Sequence, residues 1–311
     1  VDTQLPSVAE EFPNDPDADT VYRDEGGDIP LKFTPLDPAP GTPLTCGYKL
    51  DGENFVPAGS CTNEALFNGF IEIAGLLDGR HSVVAAVRDS AGNEGVSDGA
   101  VSFIFDNDQI LRVDDDGIQF PNPDFDNISD AVEAAIANDT ILVFDGTYGE
   151  DVNIDKTLTL RSENGATVTT IQGQNAASLL GAVTINADDV TVGEVGHGFT
   201  INGVGQAGVY VQGSRTGLSL AGNTVEAADN KNAFLTEGGQ SDFTISANTF
   251  QGDASQLVYV NGQASVATPS TNVDFTGNIF AGTATGPALG QEAADSTIED
   301  NIFTTATPWA V

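Results

Sequence analysis

Leu218-Ser219-Leu220-Ala221-Gly222-Asn223-Thr224-Val225 returns as Phe243-Thr244-Ile245-Ser246-Ala247-Asn248-Thr249-Phe250, as Val273-Asp274-Phe275-Thr276-Gly277-Asn278-Ile279-Phe280 and as Ser296-Thr297-Ile298-Glu299-Asp300-Asn301-Ile302-Phe303. An apolar residue stands three before and two after every asparagine, and five before it in three of the four copies. The asparagines are 25, 30 and 23 residues apart, a period in the range of solenoids and arrays. A partner segment precedes each copy, at 208–213, 234–238, 258–262 and 288–291. The gap from partner to copy is six or seven residues except in the third, which carries about six extra residues near 263–271. Stacking the copies as coils with strands about 4.8 Å apart aligns Leu218, Phe243 and Val273. It also aligns Leu220, Ile245, Phe275 and Ile298, and a third column of Val225, Phe250, Phe280 and Phe303. Asn223, Asn248, Asn278 and Asn301 then form an inward amide ladder, each side chain bonding the next. The residue before each asparagine (Gly222, Ala247, Gly277, Asp300) is expected to need positive φ.

Upstream, Ile128, Val132, Ala135 and Ile136 share one helical face. A short helix is therefore expected at about 128–137, with Asp126 or Asn127 as N-cap and Asn138-Asp139 ending it. Short strands follow at 140–144, 152–154, 158–160, 168–171, 182–185, 190–192 and 199–201, separated by Gly, Asn and Asp turns. The run Val113-Asp114-Asp115-Asp116-Gly117, Phe125, Ile128, Ala131-Val132, Asn138-Asp139-Thr140-Ile141, Gly146-Thr147-Tyr148, Leu158-Thr159-Leu160 resembles the opening of a pectin-lyase-like right-handed parallel β-helix. That resemblance implies that the helix caps the first coil and that residues 109–311 form one solenoid, with regular coils over 207–311.

The preceding part reads differently. Residues 1–20 are rich in Pro and acids and read as a tail or linker, or as an arm that adds to a sheet edge. Over 21–108, short strands at 30–34, 46–50, 69–73, 81–88 and 100–105 lie between turn clusters, which points to a β-sandwich. The run Cys46, Leu50-Asp51-Gly52, Phe55, Cys61, Gly75-Leu76-Leu77-Asp78-Gly79-Arg80-His81 and Asp89-Ser90-Ala91-Gly92-Asn93 resembles bacterial immunoglobulin-like modules of secreted and surface proteins. Together with even pairing in a loop-rich acidic chain, this resemblance favours a disulfide between Cys46 and Cys61 and an oxidising, extracellular or cell-surface location. It implies spacer duty. The fold class expected is thus all-β: an immunoglobulin-like β-sandwich followed by a right-handed parallel β-helix with a short N-terminal capping helix.

The chain has 46 acidic residues against 10 basic ones, a formal charge of −36. The net is −15 over residues 1–108 and −21 over the remainder, so acidity is a property of the whole. Such a field disfavours nucleic acid and anionic membrane surfaces as partners, and suits either a high-salt setting, where it is screened, or a calcium-rich exterior. No run approaches the roughly 18 apolar residues of a membrane helix, and Val1 reads as a processed or excised start. Asp106, Asp108, Asp114, Asp115 and Asp116 bracket the border between the two parts. They read either as solvated acidic turns or as oxygen ligands for calcium that would stiffen a hinge.

Catalytic patterns are sparse. From residue 207 onward the only basic residues are Arg215 and Lys231, which is unlike β-helix lyases that use a Lys or Arg base. The fragment Asp188-Asp189…Gly196-His197-Gly198 superficially resembles a polygalacturonase element, but its spacing is too short, and His197 reads as a loop residue. Asp229, Glu237, Asp253 and Glu292 fall in expected turns and could supply a paired-carboxylate glycosidase. The leading expectation is a non-catalytic extracellular structural or adhesive protein, assembling with itself or within a larger surface structure. The alternative is a glycan-binding or glycan-cleaving β-helix.

Overall fold

The structure, a computed structural model, describes residues 4–10, 21–23, 28–38, 43–174, 181–227, 231–254, 256–261, 269–282, 288–304 and 309–310. It divides into two units, Val1–Asp108 and Gln109–Val311.

The second unit is a parallel β-solenoid of three sheets. The first sheet stacks eight strands from Ile110–Val113 to Ile298–Glu299, the second seven from Gly146–Tyr148 to Ile302–Phe303, and the third seven from Val152–Ile154 to Trp309–Ala310. Each coil contributes one strand to each sheet, so neighbours in a sheet are consecutive coils and every pairing is parallel. Because side chains alternate across a strand, alternate residues enter the core, and coil-to-coil register lines them up. In the first sheet the inward column is Leu111, Ile141, Leu160, Val192, Leu220, Ile245, Phe275 and Ile298. In the second it is Tyr148, Ile171, Ile201, Val225, Phe250, Phe280 and Phe303. The columns read from the repeat are present as expected, and the same register extends back through the coils before residue 207. The six extra residues of the third repeat lie mostly outside the described residues, as do Asp229 and most of the segment 304–311.

At the corner before each asparagine, Gly222, Ala247, Gly277 and Asp300 have φ of 70°, 54°, 66° and 55°. This is the left-handed region that L-residues with a Cβ adopt at a cost of about 1–2 kcal/mol. Ala247 is the only one of the four with neither glycine's freedom nor a local polar side chain. Ala247→Gly is therefore expected to raise the solenoid's stability by roughly 1 kcal/mol, read as a higher denaturant midpoint at unchanged slope.

The capping helix spans Ile128–Ala134, three residues shorter than expected. Asn127 is the N-cap, accepting from the Asp130 N–H at 2.9 Å, and the Glu150 carboxylate accepts from the N–H groups of Ile128 and Ser129 at 2.8 Å each. The end comes early because its carbonyls find other partners. Lys156 Nζ donates to Glu133 O and Ala135 O, Ala135 turns to extended geometry, and the Asp139 carboxylate takes the Ile136 N–H at 2.8 Å. Ile136, expected on the buried face, is 48 % exposed.

The first unit is sandwich-like. A three-stranded antiparallel sheet (Ser7–Glu10, Ile29–Leu36, Phe67–Ile71) faces a second sheet built on Leu44–Leu50, Gly79–Arg88 and Val101–Phe105. Ile29, Leu31, Phe33 and Ile71 from one sheet share a core with Cys46, Tyr48, Val83, Val87 and Phe103 from the other. Cys46 and Cys61 are joined in a disulfide, Cα to Cα 5.7 Å. Of the two readings of the N-terminal segment, residues 7–10 follow the arm, pairing as an edge strand with residues 33–36 of this unit, while 11–20 lie outside the described residues.

Candidate functional site

The asparagine column is the most regular polar feature of the solenoid. Asn223 Oδ1 accepts from the Phe199 N–H at 2.9 Å. Asn248 Oδ1 accepts from the N–H and the Nδ2 of Asn223 at 3.0 and 3.2 Å. Asn278 does the same for Asn248 at 2.9 and 3.1 Å, and Asn301 for Asn278 at 2.8 and 3.0 Å. The remaining amide hydrogens go to core-strand carbonyls: Asn248 Nδ2 to Leu220 O, Asn278 Nδ2 to Ile245 O, Asn301 Nδ2 to Phe275 O. Asn223, Asn248 and Asn278 are at most 1 % exposed. Their polar atoms are spent inside the protein, and a carboxamide so engaged has nothing left to offer a ligand.

Of the five aspartates named for calcium, Asp106 and Asp108 belong to the first unit and the other three to the second. Asp106 is 2 % exposed and pairs with Arg23 Nε at 3.2 Å. Asp114, Asp115 and Asp116 bring carboxylate oxygens within 4.8 Å of one another. Asp114 is buried, and its carboxylate organises the loop, accepting from the N–H groups of Phe120 at 2.6 Å, Gly117 at 3.1 Å and Asp116 at 3.3 Å. Asp116 accepts from the Ile118 N–H at 2.9 Å. Calcium takes about six to eight oxygens, and this cluster by itself carries no metal assignment.

The cluster does have an electrostatic consequence. Desolvation, then the charge of Asp116, hold the Asp115 carboxyl above its ordinary value. Burial, with the Asp115 charge adding, also pushes up the phenol of Tyr148. An acid raised in the folded state binds its proton more tightly there than in the unfolded chain. Its ionisation thus destabilises the fold as pH climbs from the ordinary carboxylate value through the raised one. Asp115→Asn is expected to raise the solenoid's melting midpoint at pH 7, with the gap from the parent closing as pH falls below the ordinary aspartate range. A gap unchanged by acidification would count against this account.

Of the four carboxylates considered for glycosidase chemistry, Asp229 lies outside the described residues, and Glu237 and Glu292 are engaged by tyrosines. Glu237 accepts from the Tyr210 hydroxyl at 2.5 Å and the Gly213 N–H at 2.7 Å. Glu292 accepts from the Tyr259 hydroxyl at 3.1 Å. The register Leu235–Tyr259–Gly290 puts two coil steps between the two glutamates, roughly 10 Å between backbones at 4.8 Å per step. Burial, then the glutamate partner, pushes both phenols up. These tyrosines escaped the sequence reading. Separations of 27 and 33 residues acquire meaning only once they are seen as one coil plus two residues.

His197 Nδ1 lies 2.7 Å from Glu163 O, and Arg215 bonds Gln212 O at 2.8 Å and Asn186 Oδ1. Both serve the loops that carry them. Among the described residues no helix is long and apolar enough to cross a membrane, and the disulfide points to an oxidising environment. No protein-family model, no curated protein and no solved structure matches the chain.

Proposed function

We propose that this protein is a non-catalytic extracellular structural or adhesive element: an immunoglobulin-like spacer module followed by a pectin-lyase-like β-helix, working within a surface, matrix or fibre assembly. The observation that carries this reading is where the solenoid's polar groups go. The asparagine ladder is internally saturated, and Glu237 and Glu292 are held by tyrosines of the same sheet. Such carboxylates support coil packing, whereas a paired-carboxylate mechanism needs one acid and one base aimed at a shared bond. The disulfide and the acidic surface accord with a secreted location.

The test is turnover. Incubation with neutral and acidic polysaccharides is expected to release neither reducing ends nor unsaturated products. Reproducible cleavage lost in Glu237→Gln or Glu292→Gln would replace this reading with a glycosidase. A glycan-binding role is the second reading, favoured by the Tyr210–Glu237 and Tyr259–Glu292 pairs set two coil steps apart along one sheet. Binding without cleavage in the same screen, weakened by Tyr259→Ala, would select it.

A further inference from the structure

Two asparagines of the chain open the triplet Asn-X-Ser/Thr with X other than proline, the acceptor pattern for N-linked sugar on exported proteins. They are Asn127-Ile128-Ser129 and Asn138-Asp139-Thr140, standing at the start of the capping helix and just past its end. Their surroundings differ sharply. Asn127 Oδ1 caps the helix, and its Nδ2 donates to Asp126 Oδ1 at 3.0 Å and to Asp130 Oδ2 at 2.6 Å. The Ser129 hydroxyl donates to the Glu150 carboxylate. A sugar on Asn127 Nδ2 would take one of its two hydrogens and leave a neighbouring carboxylate without its donor.

Asn138 is held where nothing competes for its side chain. It is exposed, with φ of 75°, a left-handed conformation that asparagine adopts more readily than most residues. Neither its carboxamide nor the Thr140 hydroxyl has a partner among the described residues. The backbone beneath is fixed, the Asn138 N–H donating to Thr157 O at 2.8 Å. Asp139 between the two is fully buried, its carboxylate taking the Ile136 N–H at 2.8 Å. The middle residue thus anchors the turn while the outer two keep their polar groups free. Beside them Ile136 is 48 % exposed and Ala137 is exposed, an apolar spot that the first sugars of a glycan would cover.

We propose that Asn138 is a glycosylation site, bearing an N-linked oligosaccharide, and that Asn127 is left bare. The proposal rests on the extracellular reading above, since the sugar is added during export. The donor is a lipid-linked oligosaccharide and the catalyst a membrane-bound transferase of the exporting cell. Asn138 Nδ2 forms a bond to the anomeric carbon of the first sugar as the bond from that carbon to the phosphate oxygen breaks. The lipid phosphate leaves with the electron pair, and the nitrogen gives up one proton to a base of the transferase. Nothing is oxidised or reduced. The Thr140 hydroxyl is the part of the triplet that the transferase recognises beside the asparagine. A bulky polar group at this turn costs the fold no hydrogen bond, because the carboxamide has none to lose.

The experiment uses the full chain recovered from the cells that make it, with the exported and internal fractions kept apart. Cleavage after arginine and glutamate separates residues 113–133 from 134–150, one triplet in each. The 134–150 fragment of the exported protein is expected to be heavier by one or more sugar residues, and the 113–133 fragment to have its unmodified mass. Asn138→Gln and Thr140→Ala are expected to lose the added mass and Thr140→Ser to keep it, all three unfolding with the parent's cooperativity. An exported protein with bare Asn138 overturns the proposal and leaves the extracellular reading standing. A bare chain confined to the cell interior sinks both. Sugar on Asn127, or added mass that survives Thr140→Ala, also overturns it.

Discussion

Asn248→Leu is expected to cost the solenoid about 3–5 kcal/mol, since each buried polar group left unsatisfied costs roughly 1–3 kcal/mol. Leucine keeps asparagine's branched skeleton but is the larger side chain, so overpacking at this buried position adds to the loss of bonding. The Asn223 N–H loses its acceptor and Leu220 O loses a donor, while Asn223 Nδ2 keeps Val192 O and Ala221 O. All of this happens at a position 1 % exposed, where water cannot substitute. Asn301→Leu removes the same kind of acceptor from Asn278, but at the partly exposed end, and is expected to cost less than half as much. Asn248→Asp keeps the acceptor and turns the two donated bonds into carboxylate–oxygen contacts, so it should fall between, and recover as acid protonates it. Denaturant unfolding followed on the solenoid transition distinguishes the three. A cost below about 1 kcal/mol for Asn248→Leu, within the range of an ordinary net hydrogen bond, would mean that the ladder is decoration on a fold held by its apolar columns.

How much of this could be read from the sequence depended on what repeats. The last four coils were legible because the groups that recur, an apolar residue at −3, a left-handed corner, an asparagine and an apolar residue at +2, are those the packing needs at every turn. Earlier coils obey the same register, yet Gly146, Thr169 and Phe199 stand in the ladder column, so nothing announced their kinship to Asn223. Two polar residues replace valine or isoleucine in the third sheet's inward column, Thr236 and Gln291, at 2 % and 3 % exposure. Thr236 Oγ1 meets the Asn261 N–H, and Gln291 Nε2 meets Val273 O, partners that are defined only by three-dimensional contact.

Composition misled at the other end of the chain. A Pro-rich acidic segment lacks apolar side chains to bury, but Ser7–Glu10 is held by main-chain pairing with Ile29–Leu36, which side-chain chemistry barely affects. Close packing behind it adds to this, because a Cβ at Gly95 would run into the Pro6 carbonyl. The acidic cluster was visible as a cluster, while its internal division of labour was not. Asp114 ties down a loop and Asp115 bears the strain of the shared charge.

Phe280→Ala is the second large effect, about 3–5 kcal/mol for a fully buried phenylalanine truncated in a core. The Phe280 ring stacks on Phe303 with centroids 4.7 Å apart and planes at 7°. It stacks on Phe250 at 5.4 Å and 29°, and meets Phe275 across the core at 6.5 Å. It is therefore the coupling between the last coil and the one before, and in a solenoid each coil is stabilised mainly by its neighbours. The loss should appear first as local release. Amides of 298–303 would exchange at the rate of a frayed terminus while those between Ile110 and Phe250 hold their protection, and only at higher denaturant would the whole solenoid follow. Phe303→Ala, at a half-buried position with a single ring contact, is expected to release the same amides at less than half the cost. Phe280→Leu, which keeps most of the buried area but not the stacking, should recover more than half of the lost stability. If Phe280→Ala instead lowers protection evenly along every coil, the coils unfold as one cooperative block.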